Sequence, residues 1–204
     1  MDLNLRLSSA IGAASDDRNL ELYLTAEDRQ QASSYLRQAS IPSSSYVIAY
    51  YGGRTVLPDF LPLPSFVQLV RAVTDDRLPV ILIGAGNYES KLAHEIGKTL
   101  PHSIVATGLP LRVSAALIES ARLFIGLSSG PAHMAAAAGT PALVVLRPDT
   151  ASYSERVKWL PVGDDVIALA VEPHLLAGNQ DWSKTEAVQH ARRLLVSKQE
   201  ASVG

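Results

Sequence analysis

Cysteine is absent from the sequence. That absence excludes disulfides, thiol nucleophiles and Cys-ligated zinc or iron–sulfur centres, while leaving the compartment open. No apolar run approaches the roughly 18 residues that a membrane span requires. The segment from Met1 to Ala14 carries Asp2, Asn4 and Arg6 among its apolar residues and lacks the basic-then-apolar layout of a signal peptide. Neither sign of charge dominates. Eighteen Lys plus Arg against 20 Asp plus Glu leave a net charge of -2, too balanced for the basic footprint of a nucleic-acid or anionic-membrane binder. His94, His102, His133, His174 and His190 are scattered without the spacing of a metal-ligating helix, so no metal site is expected. The default expectation is a soluble cytoplasmic protein that binds no nucleic acid and uses no cofactor.

What is present fits one ordinary domain: 204 residues, 47% of them hydrophobic, with 13 Gly and 12 Pro. From about residue 46, strand-length apolar runs alternate with helix-period segments, the signature of a parallel sheet covered on both faces. The strands expected are Tyr46–Tyr51, Val80–Gly84, Ser103–Thr107, Leu123–Leu127, Ala142–Leu146 and Val166–Val171, rich in Val, Ile and Leu as doubly buried strands are. Phe66, Leu69, Val70 and Val73 follow Ser65, an expected N-cap, at helical spacing. Leu92 and Ile96, then Leu117, Ile118 and Ala121, then Val188, Ala191 and Leu195, mark three further helices. Thr25 with Asp28 predicts a capped helix over 26–39. Residues 1–24 read as a linker with an extended segment, 25–198 as the domain, and 199–204 as a flexible tail.

In an open doubly wound sheet of order 3-2-1-4-5-6, a ligand sits beyond the carboxyl ends of strands one and four, where the strand order reverses. Strand one runs into Gly52-Gly53-Arg54, and strand four into Ser128-Ser129-Gly130-Pro131 at the start of a helix. Glycines admit close approach of a phosphate, helix-end amides favour an anion, and Arg54 offers a charged fork. The joint reading is a phosphate or pyrophosphate site, with His133 in the first turn of the helix within reach of the anion. Plain alternatives stand beside each residue. Gly52-Gly53 also suits an ordinary turn, Ser128 to Pro131 suits a capped helix with Pro in its first turn, and His133 suits packing at the edge of an Ala-rich helix. Ala135–Ala138 reads as a helix set closely on the sheet, and Asp75/Asp76 and Asp164/Asp165 as solvated turn residues.

Two other motifs compete. Gly84-Ala85-Gly86 follows a strand, but position 89 is Glu and the strand is the second, so the dinucleotide fingerprint fails. Gly126-Leu127-Ser128-Ser129-Gly130 matches the G-x-S-x-G of a hydrolase nucleophile elbow, and Ser128, Asp164 or Asp165, and His190 fall in triad order. The short helix after Gly130 and the placement of His190 within an amphipathic helix make this the weaker reading.

The run Leu123-Phe124-Ile125-Gly126-Leu127-Ser128-Ser129-Gly130-Pro131-Ala132-His133-Met134-Ala135-Ala136-Ala137-Ala138-Gly139-Thr140-Pro141 resembles the segment of heptosyltransferases, glycosyltransferase family 9, that reads apolar strand, D-[ST]-G-P-x-H-x-A-A-A, then G-T-P. Ala116–Ala121 is similar to the family's preceding helix, and Val80–Gly84 with Gly86 and Glu89 to its G-G-x-x-E stretch. The likeness covers about 25–195, and Leu5–Leu24 is similar to the segment joining the family's two domains. It implies an α/β, Rossmann-like three-layer domain with a mostly parallel sheet of about six strands, as in the C-terminal half of a GT-B glycosyltransferase.

By that resemblance the domain binds a nucleotide-sugar donor, ADP-heptose-like, of lipopolysaccharide or surface-glycan assembly. Gly52, Gly53, Arg54, Ser128, Ser129, Gly130 and His133 would hold the donor diphosphate, and Gly86, Glu89 and Arg112 would lie on the nucleoside side. No catalytic residue is expected on this chain: the base would come from an N-terminal acceptor-binding domain or a separate partner chain. The protein would be cytoplasmic, with attachment to the inner membrane open. Three departures stand out: Ser128 replaces the family acid, only Arg54 and Pro58 match the Lys/Arg-Trp-Pro stretch, with Leu/Pro-rich sequence inserted through Pro64, and Arg112 occupies the place of a ribose-contacting acid. They admit a second class, a non-catalytic binding or regulatory module of the same fold, and a third, a nucleotide-sugar epimerase relative. An exposed cleft face would favour self-association.

Overall fold

Thr25 starts the first helix as its spacing to Asp28 predicts. The Asp28 amide donates to the Thr25 hydroxyl at 3.2 Å, and the Thr25 amide donates to the Asp28 carboxylate at 2.7 Å. This reciprocal box satisfies two amides near a helix end. The helix it opens, α1 (Ala26–Gln38), buries Ala32 and Leu36. The computed structural model describes residues 20–52, 61–146, 160–171 and 181–201, together with positions 10 and 12; Gly53, Arg54, Pro58 and His174 lie outside the described residues.

Thr25→Ala is expected to cost about 1 kcal/mol, read as a lower urea midpoint with unchanged slope. Asp28 adds a pH dependence. Its carboxyl is held below the ordinary carboxylate range, first by the hydrogen bond from the Thr25 hydroxyl, then by that from the Thr25 amide, with the Arg112 guanidinium adding to them. A depressed folded-state value contributes stability above the unfolded-state value, and that stability is lost as pH falls through the folded-state one. Asp28→Asn should therefore flatten the acid limb of the stability profile below about pH 4, and an unaltered limb would refute this.

The elements after α1 alternate as the periodicity requires: β1 (Val47–Tyr50), α2 (Leu63–Thr74), β2 (Val80–Gly84), α3 (Gly86–Gly97), β3 (Ser103–Thr107), α4 (Leu111–Glu119), β4 (Leu123–Leu127), α5 (Gly130–Ala137), β5 (Ala142–Leu146), β6 (Val166–Ala170), a 3-10 turn at Trp182–Lys184 and α6 (Glu186–Ala201). The six strands form one sheet of order β3-β2-β1-β4-β5-β6, with every pairing parallel. Val47, Ala49, Leu123, Ile125, Leu143 and Val145 face a core closed by α2, α3 and α6, while Ile48, Ile81, Phe124, Ala142 and Val144 face one closed by α1, α4 and α5. This is the α/β three-layer domain expected from the residues.

Local boundaries differ in instructive ways. The expected N-cap Ser65 is the third residue of α2, which begins at Leu63 after Pro62, with Pro64 in its first turn. Proline is well placed there, because a first-turn amide has no helical acceptor and the ring presets φ. Helix α6 continues to Ala201, past the expected start of the tail at 199. Ala132 and Ala135 are fully buried, as close packing of an Ala-rich helix on its sheet demands. Asp75 and Asp76 have positive φ values of 56° and 53°, and Arg71 bonds Asp76 at the surface.

Candidate functional site

Parallel strands bring every carboxyl end to one edge of the sheet. The ladder from Val47↔Leu123 to Tyr50↔Gly126 sets the exits of β1 and β4 side by side, and the crossovers leave these two strands toward opposite faces. The strand order therefore reverses between β1 and β4, with Gly52 following one strand and Ser128 to Gly130 the other.

Gly126 makes this junction possible. A Cβ at that position would stand 2.8 Å from the Tyr50 carbonyl oxygen and 2.8 Å from the Phe124 ring. Beyond β4, the Ser128 amide donates to the Val145 carbonyl at 3.2 Å and its side chain is exposed. The Ser129 hydroxyl donates back to the Leu127 carbonyl at 2.8 Å, so it places no side-chain cap on α5. The Ser129 carbonyl accepts from Ala132 and His133 at 3.1 and 3.3 Å, which fixes the first turn. The amides of Ser129 and Gly130 precede any helical acceptor, Pro131 has no amide to satisfy, and the helix dipole adds partial positive charge. Among the described residues a Cβ on Gly130 would meet nothing within 4 Å. His133 is half-buried one turn into the helix. Such an end accepts a dianionic group.

The nucleoside-side candidates separate. Gly86, with φ of +69°, opens α3 past the carboxyl end of β2, a conformation that favours glycine. Glu89 accepts from the Tyr50 phenol at 2.7 Å and from the Ala85 amide at 2.8 Å. Burial, with the adjacent Glu89 carboxylate adding to it, pushes the Tyr50 phenol well above its ordinary range. Arg112 turns away: its guanidinium donates to the Asp28 carboxylate at 2.9 Å and to the Tyr23 carbonyl at 2.8 Å, tying α4 to the start of α1. A groove of about 480 Å3 lined by Gln31, Tyr35, Gln38, Leu109 and Pro110 lies between α1 and α4. It sits beside the β3 edge, away from the junction of β1 and β4.

The serine-hydrolase alternative fails on strand direction. Ser128 lies past the carboxyl end of β4, whereas Asp164 and Asp165 precede β6, where the Asp165 carbonyl accepts the Ala142 amide at the opposite edge. The five residues of β5 put roughly 16 Å between those edges. His190 is exposed on α6, whose buried face is Val188, Ala191 and Leu195. No triad assembles from these residues.

Two residues that shape the strand exits escaped the sequence. Tyr50 reads as one more apolar strand residue, although it is the last before Gly-Gly. Gly126 reads as part of a regex, although a glycine inside an apolar strand signals a close approach.

Comparison with known proteins follows the same outline. The family model for glycosyltransferase family 9 (heptosyltransferase) matches residues 8–174. The glycosyltransferase family 9 protein of Veillonella parvula DSM 2008 superposes with a TM-score of 0.72 at 19% identity, over 96% of this chain and 59% of that one. The E. coli ADP-heptose lps heptosyltransferase II gives 0.66 at 17%, over 88% and 54%, and an E. coli heptosyltransferase determined with ADP gives 0.59 at 14%, over 96% and 53%. At these identities the likeness shows the fold. The chain spans little more than half the length of each of these proteins. No curated protein matches the sequence.

Proposed function

The chain belongs to glycosyltransferase family 9, the heptosyltransferase family, and from that premise we propose that it is the nucleotide-sugar-binding half of an inverting glycosyltransferase. The observation that carries the reading is the start of α5, at the sheet's switch point: two helix-opening amides, no side-chain cap and, among the described residues, nothing within 4 Å of a Cβ at Gly130. The donor is ADP-heptose-like, by analogy with the E. coli heptosyltransferase determined with ADP. Its diphosphate lies against Ser129 and Gly130, with Gly52 and His133 as further candidates; Gly53 and Arg54, which follow Gly52 in the sequence, are candidates on the sequence alone.

The chemistry follows from that placement. An acceptor hydroxyl attacks the anomeric carbon, the bond from that carbon to the diphosphate oxygen breaks, and the hydroxyl proton passes to a base. Charge accumulates on the departing diphosphate, where fixed amides and the helix dipole stabilise it without reorganising. The base and the acceptor come from an N-terminal acceptor-binding domain, for which Leu5–Leu24 would be the joining segment, or from a separate partner chain. The products belong to lipopolysaccharide or surface-glycan assembly. Among the described residues no helix is long and apolar enough to cross a membrane, and the cytoplasmic face of the inner membrane is where such an acceptor is met.

Calorimetric titration of the chain with ADP, UDP and GDP tests the reading. Saturable binding that favours ADP is the expected result. Ser128, standing where the family carries an acid, favours a second reading as a non-catalytic module. Absence of binding by all three nucleotides at millimolar concentration would select that reading instead.

A further inference from the structure

β3 closes one side of the sheet and pairs with β2 alone. The main-chain groups this leaves over follow from two bonds at its ends. The Val80 amide donates to the His102 carbonyl at 3.1 Å, and the Gly108 amide to the Gly84 carbonyl at 3.1 Å. Residues 102, 104, 106 and 108 therefore turn their peptide groups to β2. Successive residues of a strand turn theirs to opposite sides, so Ser103, Val105 and Thr107 point theirs away from the sheet. Such an edge is a template for a further strand, and proteins blunt it with lysine, proline, a bulge or a cover. Ser-Ile-Val-Ala-Thr has no charge and no proline, its register with β2 runs without a bulge, and its β-branched residues favour strands.

Among the described residues, one side chain bonds an outward carbonyl of this strand. The Tyr35 phenol, on α1, donates to the Val105 carbonyl at 3.2 Å, and its half-buried ring lines the groove beside the edge. The carbonyl it takes is the central one. An antiparallel pair of β3 with its own copy, about a two-fold axis at Val105, would set Ser103 opposite Thr107 of the second copy. Val105 would face its own equivalent, where the two residues exchange both hydrogen bonds. The arrangement is self-complementary and closed, and it uses all three outward residues. A phenol oxygen 3.2 Å from the Val105 oxygen stands where the amide of the second strand would have to stand.

We propose that the β3 edge is a strand-pairing surface for a second copy of this chain, and that the Tyr35 phenol holds it closed. The contact is made by main chain, which separates it from self-association through an exposed cleft face. It is independent of the donor-site reading, because Tyr35 lies away from the junction of β1 and β4.

The test is sedimentation of the wild-type chain, Tyr35→Phe and Tyr35→Ala at rising concentration, with amide hydrogen exchange at Val105 and thermal unfolding alongside. The wild-type chain is expected to sediment as a monomer at sub-millimolar concentration. Tyr35→Phe, which keeps the ring packed, should raise the association constant about fivefold, the scale of one hydrogen bond. Tyr35→Ala, which also removes the ring, should raise it further, and in both variants protection of the Val105 amide should grow with concentration. Ala32 and Leu36 remain to seat α1 on the core; where Tyr35→Ala fails to fold, Tyr35→Phe decides alone. Wild-type sedimentation of the folded variants would overturn the proposal. Association without protection of Val105 would also overturn it, by placing the contact elsewhere. A wild-type dimer with Val105 already protected would show that Tyr35 does not close the edge.

Discussion

Gly126→Ala is expected to destabilise the domain by about 3 kcal/mol, lowering its melting temperature by roughly 6–12 °C for a chain of this size. The added methyl would stand 2.8 Å from the Tyr50 carbonyl oxygen, which is backbone in the neighbouring strand, and 2.8 and 2.9 Å from two atoms of the Phe124 ring. Phe124 is fully buried and folds over the glycine on the same face of the sheet. Relief requires either a shift of β1 relative to β4 or displacement of that ring, and both disturb a close-packed core. Alanine's better backbone propensity offsets less than about 1 kcal/mol of this. An unchanged melting temperature would mean that the two central strands part without cost, contrary to the pairing described.

Gly130→Leu, only four residues on, is expected to do the opposite. Among the described residues its Cβ would meet nothing within 4 Å, and its backbone is outside the left-handed region, so the side chain is accommodated and the melting temperature stays within about 2 °C. The same side chain projects in front of the amides of Ser129 and Gly130. Loss of ADP affinity by roughly a hundredfold or more is the expected calorimetric result, because a diphosphate cannot approach amides screened by an isobutyl group and retain its hydrogen bonds. Unaltered affinity in a folded Gly130→Leu protein would move the diphosphate away from α5. Together the two variants separate the glycine that packs from the one that leaves room, within a five-residue run that the sequence alone reads as a single motif.

Much of the architecture is legible without coordinates. Runs such as Val-Ile-Leu-Ile at 80–83 and Ala-Leu-Val-Val-Leu at 142–146 are apolar on both faces, which only strands inside a three-layer domain tolerate. Thr25 with Asp28 marks a helix start because a capping box is made within four consecutive residues. The handedness of parallel crossovers then leaves few strand orders, and the observed β3-β2-β1-β4-β5-β6 reverses between β1 and β4, the strands that lead to Gly52 and Ser128.

Other features are invisible at that level. The serine, aspartate and histidine that imitate a triad in chain order are separated by strand direction, which no spacing encodes. Arg112 reads as a ligand contact from its place after β3, but its guanidinium is engaged by Asp28 and the Tyr23 carbonyl. Glu89 reads as part of a glycine-rich stretch, yet its partner is Tyr50, on the adjoining strand.

Chain-local signals, the period of apolar residues and the capping pair, settled the class and the elements, and the glycines at strand ends point to the edge proposed for the ligand. Folding into the sheet decided which of those residues meet. Hydrogen bonds and steric contacts act over a few ångströms in space, and where β1 meets the start of α3 the side chains that satisfy one another, Tyr50 and Glu89, lie 39 residues apart in the chain.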